Sequence, residues 1–166
     1  MCRDYSKNYN LNYKSLMPTN LYGPGDNYDT KNSHFFPALL KKIYLAKKLN
    51  KKKIVIWGSG NPKRELMYVD DLADAVIFFM SKKFKESYLN IGNGKDHSIK
   101  WYTKFLLSKI NIKLDLKFDN KMPNGTKRKI LDSSKAKKYG WIPKTSLDQG
   151  FIHTFKDFLE KKKYNS

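Results

Sequence analysis

Arginine is scarce in this basic sequence of 166 residues. Of its 34 basic residues only three, Arg3, Arg64 and Arg128, are arginine, and the rest are lysines scattered in pairs and triplets. Proteins that read DNA bases rely on the arginine fork, which lysine cannot reproduce. The formal net charge of +19 therefore favours a lysine-rich surface, and a nucleic-acid partner is not expected.

Cysteine and long apolar runs are also missing. One cysteine, Cys2, cannot form an internal disulfide, which fits a reducing compartment. The first ten residues are polar and lack the apolar core of a signal peptide. No apolar run approaches the roughly 20 residues of a membrane helix. With 40% hydrophobic residues the chain has enough for one core, so we expect a soluble, cytoplasmic protein without membrane contact.

Apolar periodicity and turn residues predict interleaved strands and helices, and thus a mixed α/β fold. Strands are predicted at 13–17, 54–57, 65–68, 88–91 and 114–118. Helices are predicted at 3–10, 35–49, 71–83, 99–110, 133–140 and 147–162. Candidate helix caps are Asn32 or Ser33, Asp70 and Ser98, and 20–33 is predicted to be a functional loop. The first strand has no obvious parallel neighbour, so the beginning of the fold looks cut.

The stretch IVIWGSGNPKREL, residues 54–66, raises the question of a dinucleotide-binding turn. Such a turn needs a third glycine and a helix that begins directly after it, and here an extended segment follows Gly60. We therefore predict a strand–turn–strand element rather than a cofactor cradle. In it, Arg64 can fork onto two phosphate oxygens beside Trp57. A plain β-hairpin with a surface arginine is the equally open alternative.

Several segments in this order resemble the carboxy-terminal half of the GDP-L-fucose synthases, which belong to the extended short-chain dehydrogenase/reductase group. They are MPTNLYGPGDNYDTKNSHFFPALL, WGSGNPKREL, YVDDLADA, LNIGNG and NGTKRKILDSSKAKKYGW. The family's glycine-rich NADP turn, catalytic serine and cysteine, and Tyr-x-x-x-Lys pair would all lie upstream. We therefore expect a fragment that begins inside the family's catalytic helix, with most of the Rossmann sheet missing.

The resemblance implies a carboxy-terminal, substrate-binding portion of that fold. Residues 1–30 would be the residual end of the NADP-binding Rossmann domain, and residues 31–166 a nucleotide-sugar-binding domain, with possible exchange of short segments. It also implies NADP(H) as cofactor, with most of its binding site absent from this chain, and no metal. A separate amino-terminal half is a possible partner. The family is homodimeric, but the interface would be largely missing here.

The resemblance also assigns site residues. His34 would be the catalytic acid, an assignment that suits imidazole near neutral pH, whereas the sequence alone favours a structural hydrogen bond at a helix start. Pro18, Thr19, Asn20, Leu21 and His34 would contact the cofactor. Lys42, Trp57, Arg64, Asn124 and Lys129 would contact the GDP-sugar. Lys42 stands where arginine is common and Asn124 where aspartate is common. Cys2 lies far from the family's catalytic cysteine and is interpreted as a small helix residue.

These assignments predict part of an NADP-dependent GDP-4-keto-6-deoxy-D-mannose 3,5-epimerase/4-reductase that makes GDP-L-fucose. By itself the chain would bind a GDP-sugar without turnover. The alternatives are another nucleotide-sugar epimerase or dehydratase, and a non-catalytic nucleotide-sugar-binding remnant.

Overall fold

The computed structural model describes residues 1–29 and 32–164. Its helices are α1 (Cys2–Tyr9), α2 (Phe35–Lys48), α3 (Val69–Met80), α4 (Ile99–Ile110), α5 (Ser134–Lys138) and α6 (Leu147–Tyr164). Its strands are β1 (Ser15–Pro18), β2 (Asn20–Tyr22), β3 (Lys53–Trp57), β4 (Lys63–Tyr68), β5 (Tyr88–Ile91), β6 (Asp96–Ser98), β7 (Asp115–Asp119) and β8 (Arg128–Lys129). The interleaving confirms the mixed α/β class.

The first strand does have a parallel neighbour. β1 lies parallel to β5, with Ser15 opposite Tyr88 and Pro18 opposite Ile91. The expectation that the chain supplies no such neighbour is therefore wrong, because a strand from much later in the sequence fills one edge. Within the described residues this sheet has only these two strands, so the other edge of β1 is unpaired.

A second sheet is built around β4. Its carboxyl end lies parallel to β2, and its amino end pairs antiparallel with β6 and parallel with β8. The predicted loop 20–33 is thus wrong over its first three residues, which form β2. β2, β6 and β8 have only two or three residues each, which is too short to show the alternation by which a strand is recognised in sequence.

β3 pairs with β7 in a parallel sheet of two strands, and β4 belongs to a different sheet. The alternative of a plain hairpin between β3 and β4 is therefore wrong. The turn at 58–60 leads from the β3–β7 sheet to the sheet built around β4. Trp57 and Arg64 therefore belong to different sheets, and both border a common space.

Two predicted helix caps also differ from the structure. α2 begins after His34, which has extended backbone, rather than after Asn32 or Ser33. α3 begins after Tyr68, so Asp70 lies in the first turn, where a carboxylate favours the positive end of the helix. The Ser98 cap is confirmed, since its Oγ accepts a hydrogen bond of 3.1 Å from the Trp101 N–H.

The buried apolar side chains of the described residues form two clusters. The larger joins the inner faces of α2, β3, α4 and α6, and its fully buried members include Leu40, Ile43 and Leu106. The smaller lies between the β1–β5 pair, α3 and α5, and includes Leu89 and Ile91. The larger cluster is the rigid support for the site described below.

The β1–β5 side of the molecule leaves apolar side chains uncovered. On α3, Ile77 is 71% and Met80 is 81% exposed, and Val76 beside them is also exposed. On the strands, Met17 and Tyr88 are exposed as well. Separately, none of the helices within residues 1–29 and 32–164 has the length and apolar character needed to cross a lipid bilayer.

Candidate functional site

A cavity of about 620 Å³ opens between α2, the end of β3, the start of β4 and the start of α4. Because residues three or four apart share one face of a helix, α2 presents Phe35, Ala38, Leu39 and Lys42 together. Four of the five residues predicted to bind substrate line this space, which we call the Trp57 cavity. They are Lys42, Trp57, Arg64 and Asn124.

Trp57 is positioned by the alternation of β3. Ile54 and Ile56 point into the larger core cluster, whereas Val55 and Trp57 face outward, and Trp57 is 57% exposed. The next turn is tight, because a Cβ on Gly60, whose φ is +74°, would lie 2.3 Å from the ring of Phe118. An exposed indole at the mouth of a cavity is suited to covering a flat ligand group.

Arg64 is fixed by its own surroundings. Its Nη1 donates hydrogen bonds to the carbonyl oxygens of Lys63, at 2.8 Å, and Thr126, at 2.7 Å. Partial burial lowers the pKa of the guanidinium from its ordinary value, but an arginine stays charged. Among the described residues its other nitrogens have no hydrogen-bond partner. The side chain therefore presents oriented, unused donors to a cavity.

Lys42 provides a second positive charge on the same cavity. Its side chain is half-buried, and burial lowers the pKa of its ammonium group. Within the described residues no carboxylate lies within ion-pair distance of it. A partly desolvated cation without a partner favours an anionic ligand, since the attraction is screened less than at an open surface.

A second cavity of about 530 Å³, which we call the His34 cavity, holds the other predicted residues. It is lined by Pro18, Thr19, Asn20, Leu21, His34, Lys129, Ile130 and Leu131. Lys129 on β8 lies opposite Arg64 on β4. Ser33 lines the Trp57 cavity and the adjoining His34 lines the second one. The two cavities are therefore neighbours.

His34 stands at the start of α2. Its carbonyl oxygen accepts the Ala38 N–H at 3.1 Å, while its imidazole is exposed and makes no hydrogen bond within the described part of the chain. The structural hydrogen bond considered for this side chain is therefore not found. The imidazole is accessible to a ligand in the His34 cavity.

Backbone and amide hydrogen bonds fix the residues predicted to contact the cofactor. Thr19 is held by a 3.0 Å hydrogen bond from its N–H to the Ile91 carbonyl, and Asn20 Nδ2 donates to the Glu65 carbonyl at 2.9 Å. These bonds fix the wall of the His34 cavity. The turn after Trp57 leads into β4 and not into a helix, so it lacks the helix start that binds a pyrophosphate.

Glu65, which was not predicted from the sequence, connects several parts of the site. This carboxylate is fully buried, and its oxygens accept the N–H groups of Gly94 at 2.7 Å and Leu131 at 2.9 Å. The first bond holds the turn after β5, and the second holds a wall of the His34 cavity. The available signal was a glutamate directly before the apolar residues Leu66 and Met67 of a predicted strand. A carboxylate that is buried without hydrogen-bond partners is costly, so a glutamate at such a position indicates a structural role.

The other two histidines do not belong to these cavities. His97 stacks on Trp101 with ring centroids 3.7 Å apart, and His153 is exposed on α6. Cys2 is a half-buried residue of α1, as expected. Within the described residues, no group of three or more His, Cys, Asp or Glu side chains is arranged to hold a metal ion.

Comparison with known proteins identifies the family of this chain. Residues 1–92 match the NAD dependent epimerase/dehydratase family, which is more than half of the chain. The chain belongs to this family. It is 41% identical over 160 residues to the probable GDP-L-fucose synthase 1 of Oryza sativa subsp. japonica, covering 96% of the chain and 49% of the relative. It is 38% identical over 169 residues to the GDP-L-fucose synthase of Escherichia coli K12, covering 96% and 53%.

A solved structure with 32% sequence identity has a similar fold. The GDP-mannoheptose C4 reductase MlghC from Campylobacter jejuni, with NADP bound, superimposes with a TM-score of 0.80 at 32% identity, covering 96% of this chain and 53% of that one. The epimerase/dehydratase chain described here thus spans about half the length of the relatives it matches. The resemblance to GDP-L-fucose synthases and the fold class are confirmed.

Proposed function

We propose that this chain is the carboxy-terminal part of an NADP-dependent GDP-4-keto-6-deoxy-D-mannose 3,5-epimerase/4-reductase that makes GDP-L-fucose. The observation that carries the proposal is the convergence of Lys42, Trp57, Arg64 and Asn124 on one cavity, with Lys129 and His34 on the next. A GDP-sugar is the proposed ligand of both cavities. Its diphosphate would lie near Arg64 and Lys129, which are register partners on the adjacent parallel strands β4 and β8.

The proposed chemistry assigns a proton donor to this chain. The ketone at C4 acidifies the protons at C3 and C5, and each inversion needs a base on one face and an acid on the other. His34, exposed in its cavity, is the proposed acid. NADPH, when bound, would supply the hydride that reduces C4. Pro18, Thr19, Asn20 and Leu21 are the proposed contacts for the nicotinamide end.

The proposal includes a partner, an amino-terminal half of the same kind of enzyme. Two features support it: the chain covers 49% and 53% of its relatives, and the β1–β5 side exposes apolar residues of α3 beside an unpaired strand edge. Parallel sheets are ordinarily covered on both faces. By itself the chain would bind a GDP-sugar without turning it over.

Equilibrium titrations of the purified chain test this function. We expect GDP-mannose to bind at least about tenfold more tightly than UDP-glucose, or 1.4 kcal/mol, and NADPH to bind weakly. We also expect no uptake of solvent deuterium at C3 or C5 of the ketosugar until an amino-terminal half is added. Equal affinity for GDP- and UDP-sugars would instead favour another nucleotide-sugar enzyme.

A second candidate is a GDP-sugar reductase without epimerase activity. It is favoured by the similarity to MlghC, whose name describes a C4 reductase. With the amino-terminal half supplied, consumption of NADPH without deuterium uptake at C3 and C5 would identify this activity. Specific GDP-sugar binding without turnover would identify a non-catalytic remnant.

A further inference from the structure

Arg128, one of the three arginines, lies on β8 and lines neither the Trp57 cavity nor the His34 cavity. Its Nε donates a hydrogen bond to Asp96 Oδ2 at 2.5 Å, and its Nη2 donates to Asp96 Oδ1 at 3.2 Å. A fork of this kind engages both carboxylate oxygens, so it fixes orientation as well as distance. A lysine, the basic residue found almost everywhere else in this sequence, cannot form it.

Asp96 is the fixed end of this ion pair. It begins β6, which pairs antiparallel with β4, and its side chain is only 9% exposed. The Arg128 guanidinium holds the pKa of the Asp96 carboxyl below its usual range, so the carboxylate is charged at neutral pH. Arg128 itself is largely exposed. The more buried acid therefore tethers the exposed arginine.

The segment that carries Arg128 has few other anchors. Residues 123–129 read PNGTKRK, and all of them are exposed. Among the described residues, β8 is the only helix or strand between the end of β7 and the start of α5. A polar, exposed segment gains little from apolar burial. Its position depends on backbone hydrogen bonds, such as that from the Lys63 N–H to the Lys127 carbonyl at 2.9 Å, and on the Asp96 fork.

The fork also determines which way Lys129 faces. Successive side chains of a strand point to opposite sides. With Arg128 drawn to Asp96 on one side, Lys129 lies on the other, where it lines the His34 cavity. Arg64 depends less on this segment, because one of its carbonyl partners, that of Lys63, belongs to its own strand. The Lys129 side chain has no hydrogen bond or ion pair within the described residues.

We propose that Asp96 is a positioning residue, which through its fork on Arg128 holds Lys129 against an anionic ligand of the His34 cavity. The proposal rests on the proposed function for the identity of that ligand, the diphosphate of a GDP-sugar. The sign of the expected effect separates positioning from simple electrostatics. Neutralising Asp96 makes the surroundings of the cavity more positive, which by charge alone would tighten the binding of an anion. Positioning predicts weaker binding instead.

Calorimetric titration of the purified chain with GDP-mannose tests the proposal. Asp96→Asn keeps the shape of the side chain but loses the charge and the fork, so it should weaken binding about three- to tenfold. Arg128→Lys keeps the charge and loses the fork, so it should weaken binding by a similar factor. The matched control is Asp148→Asn, which makes the same change in the exposed ion pair of Asp148 with Lys109 and should leave binding within about twofold.

A double-mutant cycle with Lys129 separates positioning from general damage to the fold. Lys129→Ala alone should weaken GDP-mannose binding about tenfold, because a charged contact is lost. In that background Asp96→Asn should add less than about twofold, since the group that it positions is gone. A further loss as large as in the unmodified chain shows that Asp96 acts through the fold and overturns the proposal. If urea unfolding shows that Asp96→Asn does not fold, Arg128→Lys takes its place in the cycle.

Titration with inorganic pyrophosphate keeps this proposal apart from the proposed function. GDP-mannose binding by Asp96→Asn that equals or exceeds that of the unmodified chain overturns the role of Asp96 and leaves the GDP-sugar site standing. An equal loss in Asp148→Asn also overturns it. Pyrophosphate binding that follows the cycle, without any affinity for GDP-mannose, supports the positioning role and contradicts the GDP-sugar. Binding of neither probe contradicts both.

Discussion

The Trp57 cavity and the β1–β5 pair lie in one chain but differ in what surrounds them. Around the cavity, α2, β3, β4 and α4 bury their apolar faces against one another, and backbone carbonyls hold Arg64 in place. Within residues 1–29 and 32–164 no strand pairs with the outer edge of β1, and the β1–β5 pair lies near an exposed face on α3, made up of Val76, Ile77 and Met80. The region proposed to bind substrate packs on the larger core cluster, whereas the region proposed to face the cofactor has an unpaired strand edge and exposed apolar side chains within the described residues.

The largest effect is expected from His34, which is proposed both to donate a proton to the sugar and to contact the cofactor. With an amino-terminal half supplied, His34→Ala should lower the rate of deuterium uptake at C3 or C5 by about 10²- to 10⁴-fold, because a general acid is lost. Mass spectrometry of the sugar measures it. GDP-mannose affinity should stay nearly the same. An unchanged exchange rate would leave His34 with no part in the chemistry.

Glu65 links the two regions, so its loss should cost the most stability. Glu65→Ala removes a fully buried carboxylate and leaves the Gly94 and Leu131 N–H groups without acceptors. We expect the free energy of unfolding in urea to fall by about 3–5 kcal/mol. Glu160→Ala on the exposed side of α6 is the control and should change it little. A similar small change for Glu65→Ala would contradict its proposed clamping role.

Substitutions of Arg64 test the Trp57 cavity alone. Arg64→Ala should weaken GDP-mannose binding by about 10- to 100-fold, since a hydrogen bond to a charged group is worth roughly 1.5–3 kcal/mol. Arg64→Lys should recover only part, because an ammonium cannot fork onto two oxygens. NADPH affinity in the presence of the amino-terminal half should not change. Loss of NADPH binding with GDP-mannose binding intact would place the cofactor at this turn.

Substitutions on the exposed face of α3 test the region around the β1–β5 pair. Ile77→Ser and Met80→Ser should change the unfolding free energy of the chain by less than about 0.5 kcal/mol, because both side chains are already exposed. Each should weaken association with an amino-terminal half by about tenfold through lost apolar burial. Sedimentation or calorimetry measures the association. Ile152→Ser, an exposed isoleucine on α6, is the control; an equal effect there would mean that the α3 face is not the contact.

His97 gives the smallest expected effect. Burial lowers the pKa of His97 below its usual value of about 6.5. The unfolded chain therefore binds the proton more readily, and the stability contributed by neutral His97 is present above pH 6.5 and lost as the pH falls below it. His97→Phe, which keeps a ring on Trp101, should flatten the decline in unfolding free energy between pH 7.5 and 5.5. A decline as steep as that of the unmodified chain would exclude His97 as its source.

The main elements could be predicted from the sequence because their signals are local. The helical spacing of 35–49, the Ser98 cap and the alternating run before Gly58 each depend on neighbouring residues, and they appear within a few positions of the predicted bounds. The short strands β2, β6 and β8 could not be predicted, because two or three residues show no period. They are strands only because β4 offers them hydrogen-bonding partners.

The sequence by itself determined the fold class, the family and the residue types of the site. Only the tertiary structure decided that Lys42, Trp57, Arg64 and Asn124, which are spread over half the chain, line one cavity. It also decided that Glu65 is the clamp between β4, the turn after β5 and Leu131. The physical reason is that a hydrogen bond forms only between a donor and an acceptor that the fold brings together. Partners that are distant in the sequence produce no periodic pattern from which the bond could be predicted.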